Sequence, residues 1–314
     1  MYTLDSITFG EAMALFVAEE PGDLAAVERF TRRLAGAETN VAVGLARLGL
    51  RSGWVSRLGR DSFGRFVRAS LAREGVDCSH VADDPHHPTG FMLKTKATDG
   101  SDPAIEYFRR GSAASHLSPL DFDERHFLGS RHMHATGIAP ALSPSAMEFA
   151  LHALEVMGRA GRTISFDPNL RPMLWPSTEV MVERINHLAS KATWVLPGLR
   201  EGLVLTGRAE PRDIAAFYLD RGAELVAVKL GVEGAYVRTP TLEALVPAVR
   251  VPRVVDTVGA GDGFAAGLIS ALLEGLPVEE AVMRGNRVGA FAIQVVGDMD
   301  GLPTRAQLDA TVLA

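Results

Sequence analysis

Residues 254–264 of the chain read VVDTVGAGDGF, and the apolar run GFAAGLISALLEG continues from residue 263 to residue 275. The β-branched residues that open the first stretch favour a strand, and the glycines that follow favour a tight turn. The apolar run has the pattern of a helix. We therefore predict a strand beginning at Val254, a glycine turn, and a helix at residues 263–273.

This glycine turn is a candidate binding site for a negatively charged ligand. Gly259, Gly261 and Gly263 allow the backbone to approach a ligand closely and to adopt positive φ. The following helix directs unpaired N–H groups and its positive dipole end at the same place. Asp262 stands at this helix N-terminus, where any carboxylate is stabilised. In a functional interpretation it is a general base that takes the proton of an attacking hydroxyl.

Strand-like and helix-like runs alternate along most of the chain. Strands that are separated by helices pair in parallel through right-handed crossovers. We therefore predict an α/β protein, a three-layer α/β/α sandwich with a mostly parallel central sheet. The predicted strands are residues 6–9, 53–58, 132–135, 163–166, 193–196 and 225–229. The predicted helices are residues 38–48, 63–74, 144–158, 179–190, 263–273 and 278–293.

Two regions, residues 12–33 and 89–110, contain short strand-like runs without helices between them. In the second region the turn-forming residues 99–103 separate the runs 91–96 and 104–109, which favours a hairpin. We predict that the two regions form a small β-sheet lid over one edge of the main sheet.

The composition is that of a folded, acidic protein. Its 314 residues, 47% hydrophobic and 22% charged, suit a single domain over residues 1–314. Acidic side chains outnumber basic ones 38 to 32, which leaves no basic surface for nucleic acid. The N-terminus lacks a signal-peptide pattern, and no apolar run is long enough to cross a membrane. We therefore expect a cytoplasmic protein that binds neither nucleic acid nor membrane.

Other motifs give weaker signals. The chain has no G-x-x-x-x-G-K-[ST] sequence, which excludes a P-loop, and a dinucleotide fingerprint would need glycine where Phe264 stands. His132 and His134 share one face of a predicted strand. No cysteine or carboxylate lies at ligand spacing from them, so a structural role is the better interpretation.

The string D-T-V-G-A-G-D-x-F-x-A-G at residues 256–267 resembles the C-terminal signature of the ribokinase-like (PfkB) carbohydrate kinases. The N-terminal signature of that family has a match in AGAETNVA at residues 35–42. The resemblance extends from Gly10 to Pro303 and implies the ribokinase-like fold. It also implies that the chain transfers phosphate from ATP to a sugar. The catalytic residues that it implies are the base Asp262 and the anion hole of Gly259, Ala260 and Gly261.

The resemblance also indicates how ATP binds. VKLGVEGA at residues 228–235 is similar to the strand and turn along ATP in the family, although an ordinary hairpin connection would look the same. The implied ATP contacts are Lys229, Gly231, Gly234, Gly259, Gly261 and Asn286. The N-x-x-E motif of the family reads GLRE at residues 198–201, so Glu201 alone is expected near the metal, as an indirect contact. Mg²⁺ is expected with ATP, and a requirement for a monovalent cation such as K⁺ stays open.

Three stretches resemble the 2-keto-3-deoxygluconate kinases within this family. They are YFRRGSA at residues 107–113, DPNLRPMLW at 167–175 and GDMDG at 297–301. The implied substrate contacts are Gly36, Asn40, Tyr107, Arg109, Asn169, Arg171 and Asp298. Since the planar guanidinium binds a carboxylate through two parallel hydrogen bonds, Arg109 and Arg171 are the candidates for acid recognition. A surface ion pair is the commoner fate of an arginine, and we expect it for Arg110.

These observations predict ATP-dependent phosphorylation of the terminal hydroxyl of 2-keto-3-deoxy-D-gluconate, which gives the 6-phosphate. A fructokinase or another small-sugar kinase is the alternative, because fructokinases share the Gly10-Glu11 start. A binding module without turnover is a third alternative, against which the intact Asp262 counts. The expected partners are a small sugar acid and ATP, together with further copies of the chain that associate through the lid.

Overall fold

The computed structural model of the protein describes residues 2–96 and 103–310, and within them the predicted alternation of strands and helices is present. The strands are β1 (Leu4–Phe9), β2 (Met13–Ala18), β3 (Phe30–Ala35), β4 (Ser52–Gly59), β5 (Val81–Asp84), β6 (Phe91–Lys94), β7 (Ile105–Phe108), β8 (Ser130–Thr136), β9 (Thr163–Asp167), β10 (Trp194–Val195), β11 (Leu225–Lys229), β12 (Ala235–Arg238) and β13 (Glu243–Val246).

The α-helices connect these strands and cover the sheet. They are α1 (Ala37–Arg47), α2 (Ser62–Arg73), α3 (Glu124–Leu128), α4 (Pro144–Arg159), α5 (Thr178–Ala189), α6 (Leu199–Thr206), α7 (Pro211–Leu219), α8 (Ala260–Leu273), α9 (Val278–Ala292) and α10 (Arg305–Ala310). None of the helices in the described part of the chain has the length and apolar character needed to cross a bilayer.

The main sheet has nine strands in the order β13-β12-β11-β10-β9-β8-β1-β4-β5. Neighbouring strands from β11 to β5 run parallel, and β12 and β13 complete one edge in antiparallel pairing. Strand β11 shows why the sheet is covered on both faces. Its Val226 and Val228 belong to one apolar core, and its Leu225 and Ala227 belong to another. Because strand side chains alternate between faces, the three-layer prediction is confirmed.

Different helices supply the two cores. Helix α4 contributes Phe149 and Leu154 to the first core, which also contains side chains of α5 and α7. Helix α8 contributes Leu268 and Ile269 to the second, together with residues of α1 and α9. Packing along α8 therefore holds this helix, which follows the glycine turn, against the main sheet. The same packing fixes the position of its N-terminus relative to the sheet.

The second sheet has four strands in the order β3-β2-β6-β7. Strand β2 pairs antiparallel with β3 and parallel with β6, and β6 pairs antiparallel with β7. Both regions that broke the alternation in the sequence thus join one small sheet, as predicted. The turn predicted at residues 99–103 lies outside the described residues except for Pro103.

The prediction of a strand beginning at Val254 was wrong. No regular strand is present between residues 251 and 258. The backbone N–H of Val255 donates to the carbonyl of Ile293, just after α9, at 2.8 Å, so the segment lies against a helix end and not beside a strand. Helix α8 also starts earlier than predicted, at Ala260, because the N–H of Gly263 already bonds to the carbonyl of Gly259. Asp262 is consequently inside the first helical turn.

Candidate active site

A cleft of about 430 Å³ opens at the carboxyl ends of the parallel strands, between the main sheet and the small sheet. Ligands collect at this end of open α/β sheets. Most of the predicted site residues line this cleft. They are Gly36, Asn40, Tyr107, Arg109, Asn169, Arg171, Glu201, Lys229, Gly259, Gly261, Asp262 and Asp298.

The glycine turn closes one side of the cleft. Gly259 has φ +83°, and a Cβ atom there would lie 2.1 Å from the carbonyl oxygen of Asp298. Both the left-handed backbone and the close approach require glycine at this position. The turn leads into the 14 residues of α8, whose first N–H groups have no partners within the helix. The geometry therefore presents backbone donors and the positive helix end to the cleft.

Asp262 lies in the first turn of α8 and faces two asparagines. The amide nitrogen of Asn40 donates to its Oδ2 at 2.8 Å, and the amide nitrogen of Asn169 donates to its Oδ1 at 3.5 Å. Burial raises the pKa of Asp262 to about 7, and the hydrogen bond from Asn40 opposes this rise. A carboxylate that titrates near neutral pH is suited to accept a proton from a hydroxyl.

Asn169 has an unusual backbone. Its φ is +41°, and it is the non-glycine residue with positive φ in the described part of the chain. Its N–H donates to Oδ1 of Asp167 at 3.2 Å, which holds the conformation. Such strain is concentrated at functional sites. The sequence motif identified Asn169 as a candidate, but it gave no sign of the strain.

Lys229, at the end of β11, places a positive charge beside the glycine turn. Its Nζ donates to Oδ2 of Asp167 at 2.5 Å and would lie 3.4 Å from a Cβ atom on Gly261. Burial tends to lower the pKa of Lys229, but the charges of Asp167 and Glu201 raise it above its usual value. Lys229 is therefore an ammonium group close to the start of α8, where it adds to the attraction for an anion.

Both carboxylate oxygens of Glu201 accept hydrogen bonds from backbone N–H groups. Its Oε1 accepts from the N–H of Leu170 at 2.9 Å, and its Oε2 accepts from the N–H of Gly198 at 2.7 Å. The side chain thus fixes the loop that carries Asn169 to the start of α6. Across residues 2–96 and 103–310, no group of three or more His, Cys, Asp or Glu side chains could hold a metal ion. This donor set fits a metal that is held mainly by a bound phosphate.

Arg109 is oriented by the carboxylate of Glu11, which lies far from it in the sequence. The Nε atom of Arg109 donates to Oε2 of Glu11 at 2.6 Å, and the Ser112 hydroxyl donates to the other oxygen of Glu11. Arg109 is 9% exposed and Glu11 is 2% exposed. This pairing leaves only part of the Arg109 guanidinium to face the cleft.

Arg171 is less constrained than Arg109. It is half-buried, and its Nη1 donates to the carbonyl of Leu170 at 2.9 Å. The same loop carries Asn169 and reaches the cleft. Of the two predicted carboxylate ligands, Arg171 has the more available guanidinium.

Three predicted nucleotide contacts and one residue of the turn lie outside the cleft lining. Ala260 is the first residue of α8, and Gly231 follows β11. Gly234 has φ +103°, and a Cβ atom on it would lie 2.1 Å from the carbonyl oxygen of Val246. The amide of Asn286 donates to the carbonyls of Val246 and Pro247 at 3.1 and 2.9 Å. Gly234 and Asn286 thus both hold the segment after β13.

The buried Glu38 received no functional role from the sequence. It lies in the first turn of α1, and the Thr136 hydroxyl donates to its Oε1 at 2.5 Å. Burial raises the pKa of this carboxyl group. A Cβ atom on Gly10 would come within 2.3 Å of it. Glu38 therefore links α1 to β8 and packs against Gly10 just after β1, and a lone glutamate gave no local signal for this.

Comparison with known proteins identifies similar chains over almost the whole length. The model of the family described as pfkB family carbohydrate kinase matches residues 4–305. A 2-dehydro-3-deoxygluconokinase of Bacillus subtilis is 52% identical over 306 residues, 97% of this chain and 94% of the relative. A 5-dehydro-2-deoxygluconokinase of Geobacillus kaustophilus is 32% identical over 285 residues, 89% of this chain and 84% of the relative.

Solved structures show the same fold. A PfkB protein from Polaromonas sp. JS666 has a TM-score of 0.91 and 54% identity, and the match covers 98% of this chain and 100% of that one. A putative ribokinase II of E. coli, solved with ATP and Mg²⁺, has a TM-score of 0.90 and 25% identity over 98% of both chains. A fructokinase double mutant of Vibrio cholerae, solved with fructose, ADP and potassium, has a TM-score of 0.85 and 29% identity over 99% of both chains.

Proposed function

The chain belongs to the pfkB family of carbohydrate kinases, and from this premise we propose that it is a 2-keto-3-deoxygluconate kinase. The reaction moves the terminal phosphoryl group of ATP to the terminal hydroxyl of 2-keto-3-deoxy-D-gluconate, which is the 2-dehydro-3-deoxygluconate named in the most similar curated relative reported above. The products are the 6-phosphate and ADP. The observation that carries the proposal is the position of Asp262, inside an open cleft and beside the glycine turn.

In the proposed mechanism the substrate hydroxyl lies between Asp262 and the γ-phosphorus of ATP. Asp262 accepts the proton, the hydroxyl oxygen forms a bond to phosphorus, and the bond to the β–γ bridging oxygen breaks in line. The amides at Gly259, Ala260 and Gly261, the positive end of α8 and the ammonium of Lys229 stabilise the charge on the phosphoryl oxygens. The support for this arrangement is the shared position of Gly259, Gly261 and Lys229 in the lining of the cleft, beside Asp262.

ATP is proposed to extend from the glycine turn past Lys229 toward Gly231, Gly234 and Asn286. Mg²⁺ would enter with the phosphates and neutralise part of their charge. Glu201 would act on it indirectly, because both of its oxygens already accept backbone hydrogen bonds.

The sugar acid is proposed to lie between the small sheet and the main sheet, with Gly36, Asn40, Tyr107, Asn169 and Asp298 near its hydroxyl and keto groups. The small sheet would then act as a lid that excludes water and suppresses ATP hydrolysis. Phe108 on β7 is 46% exposed and, as the strand neighbour of Tyr107, faces away from the cleft, which supports association of chains through this sheet. We expect a homo-oligomer on that ground.

A coupled assay of ADP release tests the function directly. ADP should form rapidly with 2-keto-3-deoxy-D-gluconate and slowly with fructose, with ribose or without sugar. A higher kcat/KM for fructose would support the fructokinase alternative. The similarity to the 29% identical fructokinase of Vibrio cholerae is the reason to test fructose. Binding of ATP without turnover on any sugar would indicate a binding module.

The pH dependence of the reaction should report the base. Because Asp262 must be ionised to accept a proton and has a pKa of about 7, kcat/KM should fall about tenfold per pH unit below pH 7 and level off above it. Excess Mg²⁺ keeps ATP in one ionic form across the range. A kcat/KM profile that is flat from pH 5 to pH 8 would remove Asp262 as the base.

Arg171 and Arg109 should differ in how they affect acid and neutral sugars. Arg171→Ala should raise KM for the sugar acid about 10–100-fold, which is the loss of a charged hydrogen bond, and leave fructose turnover nearly unchanged. Arg109→Ala should harm both substrates, because it also leaves the buried Glu11 without its partner. The exposed Arg110→Ala is the matched control. Equal losses on acid and neutral sugars in Arg171→Ala would contradict its role with the carboxylate.

A further inference from the structure

A lysine that no sequence motif indicated is buried beside the turn at residues 256–261. Lys94 is the last residue of β6 in the small sheet, and it is 1% exposed. Its Nζ donates to Oδ2 of Asp256 at 2.6 Å and to Oδ1 of Asp298 at 3.5 Å. Both carboxylate side chains are themselves less than a tenth exposed. Lys94 therefore places a positive charge between two buried acids.

The two acids hold opposite sides of the turn that carries Gly259. Oδ1 of Asp256 accepts the N–H of Val258 at 3.1 Å, and its Oδ2 accepts the N–H of Gly297 at 3.4 Å. The backbone carbonyl of Asp298 packs against Gly259 so closely that a Cβ atom would not fit. The ammonium group thus contacts both segments whose backbones shape the turn.

Such an arrangement requires a cation at its centre. Two carboxylates that have lost most of their water repel each other unless a charge of opposite sign lies between them. Burial raises the pKa of Asp298 to about 6, Lys94 acts against this rise, and the charge of Asp256 adds to it. Without a cation the acids would take up protons or separate, and the turn would lose its shape.

We propose that Lys94 is a positioning residue that serves as a built-in monovalent cation, so that the turn at residues 256–261 is ordered without an inorganic ion. Because Lys94 belongs to the small sheet, the same contact ties that sheet to the phosphate-binding turn. The catalytic readout of this inference rests on the proposed function. The readout of ion binding and stability does not.

The first test needs no variant. Wild-type kcat and KM should agree within about twofold between KCl, NH₄Cl and choline chloride at equal ionic strength, because the charge is supplied by the protein. Choline is too large to enter a site made for an ammonium group. A wild-type rate that depends strongly on K⁺ or NH₄⁺ would overturn the proposal.

A pair of variants distinguishes the loss of the Lys94 charge from the opening of a cavity at its position. Lys94→Ala and Lys94→Met both remove the charge, but only alanine leaves room for a small cation. In choline chloride both should lose about 100-fold in kcat, which is the scale for a turn displaced by about 1 Å. K⁺, NH₄⁺ or methylammonium should restore at least a tenth of wild-type kcat to Lys94→Ala, with saturation, and should not restore Lys94→Met. Lys96→Ala, an exposed lysine two residues further along, is the matched control.

Thermal unfolding gives the second readout. The melting temperature of Lys94→Ala should rise with NH₄⁺ or K⁺ but not with choline, and the wild type and Lys96→Ala should show no such difference. Full activity of Lys94→Ala in choline, or a folded Lys94→Ala that no small cation rescues, would overturn the proposal. If the wild type phosphorylates no sugar in any salt, the proposed function fails, and the melting temperatures alone then decide the role of Lys94.

Discussion

Asp262→Asn should lower kcat about 10²–10⁴-fold while KM for ATP and the sugar acid changes little, because asparagine keeps the shape of the side chain but cannot accept the proton. The Asn40 amide can still donate to an oxygen at this position, so the cleft should keep its geometry. Single-turnover measurement of phosphoryl transfer separates this loss from slow product release. Retention of wild-type kcat would exclude Asp262 as the base.

The stability of the same variant checks that it is folded. Burial raises the pKa of Asp262 from 3.8 in the unfolded chain to about 7 in the folded protein. At low pH the carboxyl is protonated in both states and does not affect stability. As pH rises from about 4 toward 7, the carboxyl ionises more readily in the unfolded chain, which destabilises the folded state. Asp262→Asn removes this penalty. Its melting temperature should exceed that of the wild type at pH 8, and the difference should vanish below about pH 3, where the carboxyl is protonated in both states. A lower melting temperature at pH 8 would mean that the carboxylate stabilises the fold.

Gly259→Ala should have the second large effect. The substitution puts a Cβ atom 2.1 Å from the carbonyl of Asp298 and forces a left-handed residue to carry a side chain. The turn must move, and its N–H groups then miss the phosphoryl oxygens. We expect kcat to fall about 10²–10³-fold, as for loss of a preorganised donor, with weaker ATP binding by calorimetry.

Gly275→Ala provides a control for Gly259→Ala on the same helix. Gly275 follows α8 at its other end with φ +83°, the same value as Gly259, but no atom lies within 4 Å of its would-be Cβ. Its alanine variant should therefore lose only about 1–2 kcal/mol of unfolding free energy from the left-handed backbone and keep wild-type kcat. Equal kinetic losses in both variants would show that backbone strain, not the contact with Asp298, accounts for the effect.

The sequence predicted the parts of the fold that depend on local pattern. Strands that alternate with helices pair in parallel through crossovers, and the crossover helices cover both faces of the sheet. The three-layer architecture could therefore be predicted from the order of strands and helices in the sequence. The small sheet was also predicted, because residues 12–33 and 89–110 have strand patterns without helices. The predicted strand at Val254 failed because β-branched residues favour an extended backbone, but strand pairing depends on a neighbour that lies far away in the sequence.

The same limit explains what was missed in the site. Arg109 looked like a free guanidinium until the fold brought Glu11 to it, and the two residues are 98 positions apart. Lys94 and Asp256 are 162 positions apart, and a lysine at the end of a strand gives no local sign that it is buried. The glycine turn and Asp262 could be predicted as a site from the sequence because they stand next to each other in one short motif, whereas their partners Asn40 and Asn169 lie far away in the sequence.

The crossing of α1 by α8 has a consequence for how the protein is made. Asn40 and Asp262 meet in the cleft but are separated by 222 positions, so a ribosome has completed most of the chain before the pair can exist. Until then the apolar face of α1, with Val41 and Leu45, lacks the helix that covers it. The nascent chain therefore passes through a long interval in which part of its core surface is exposed and prone to aggregation.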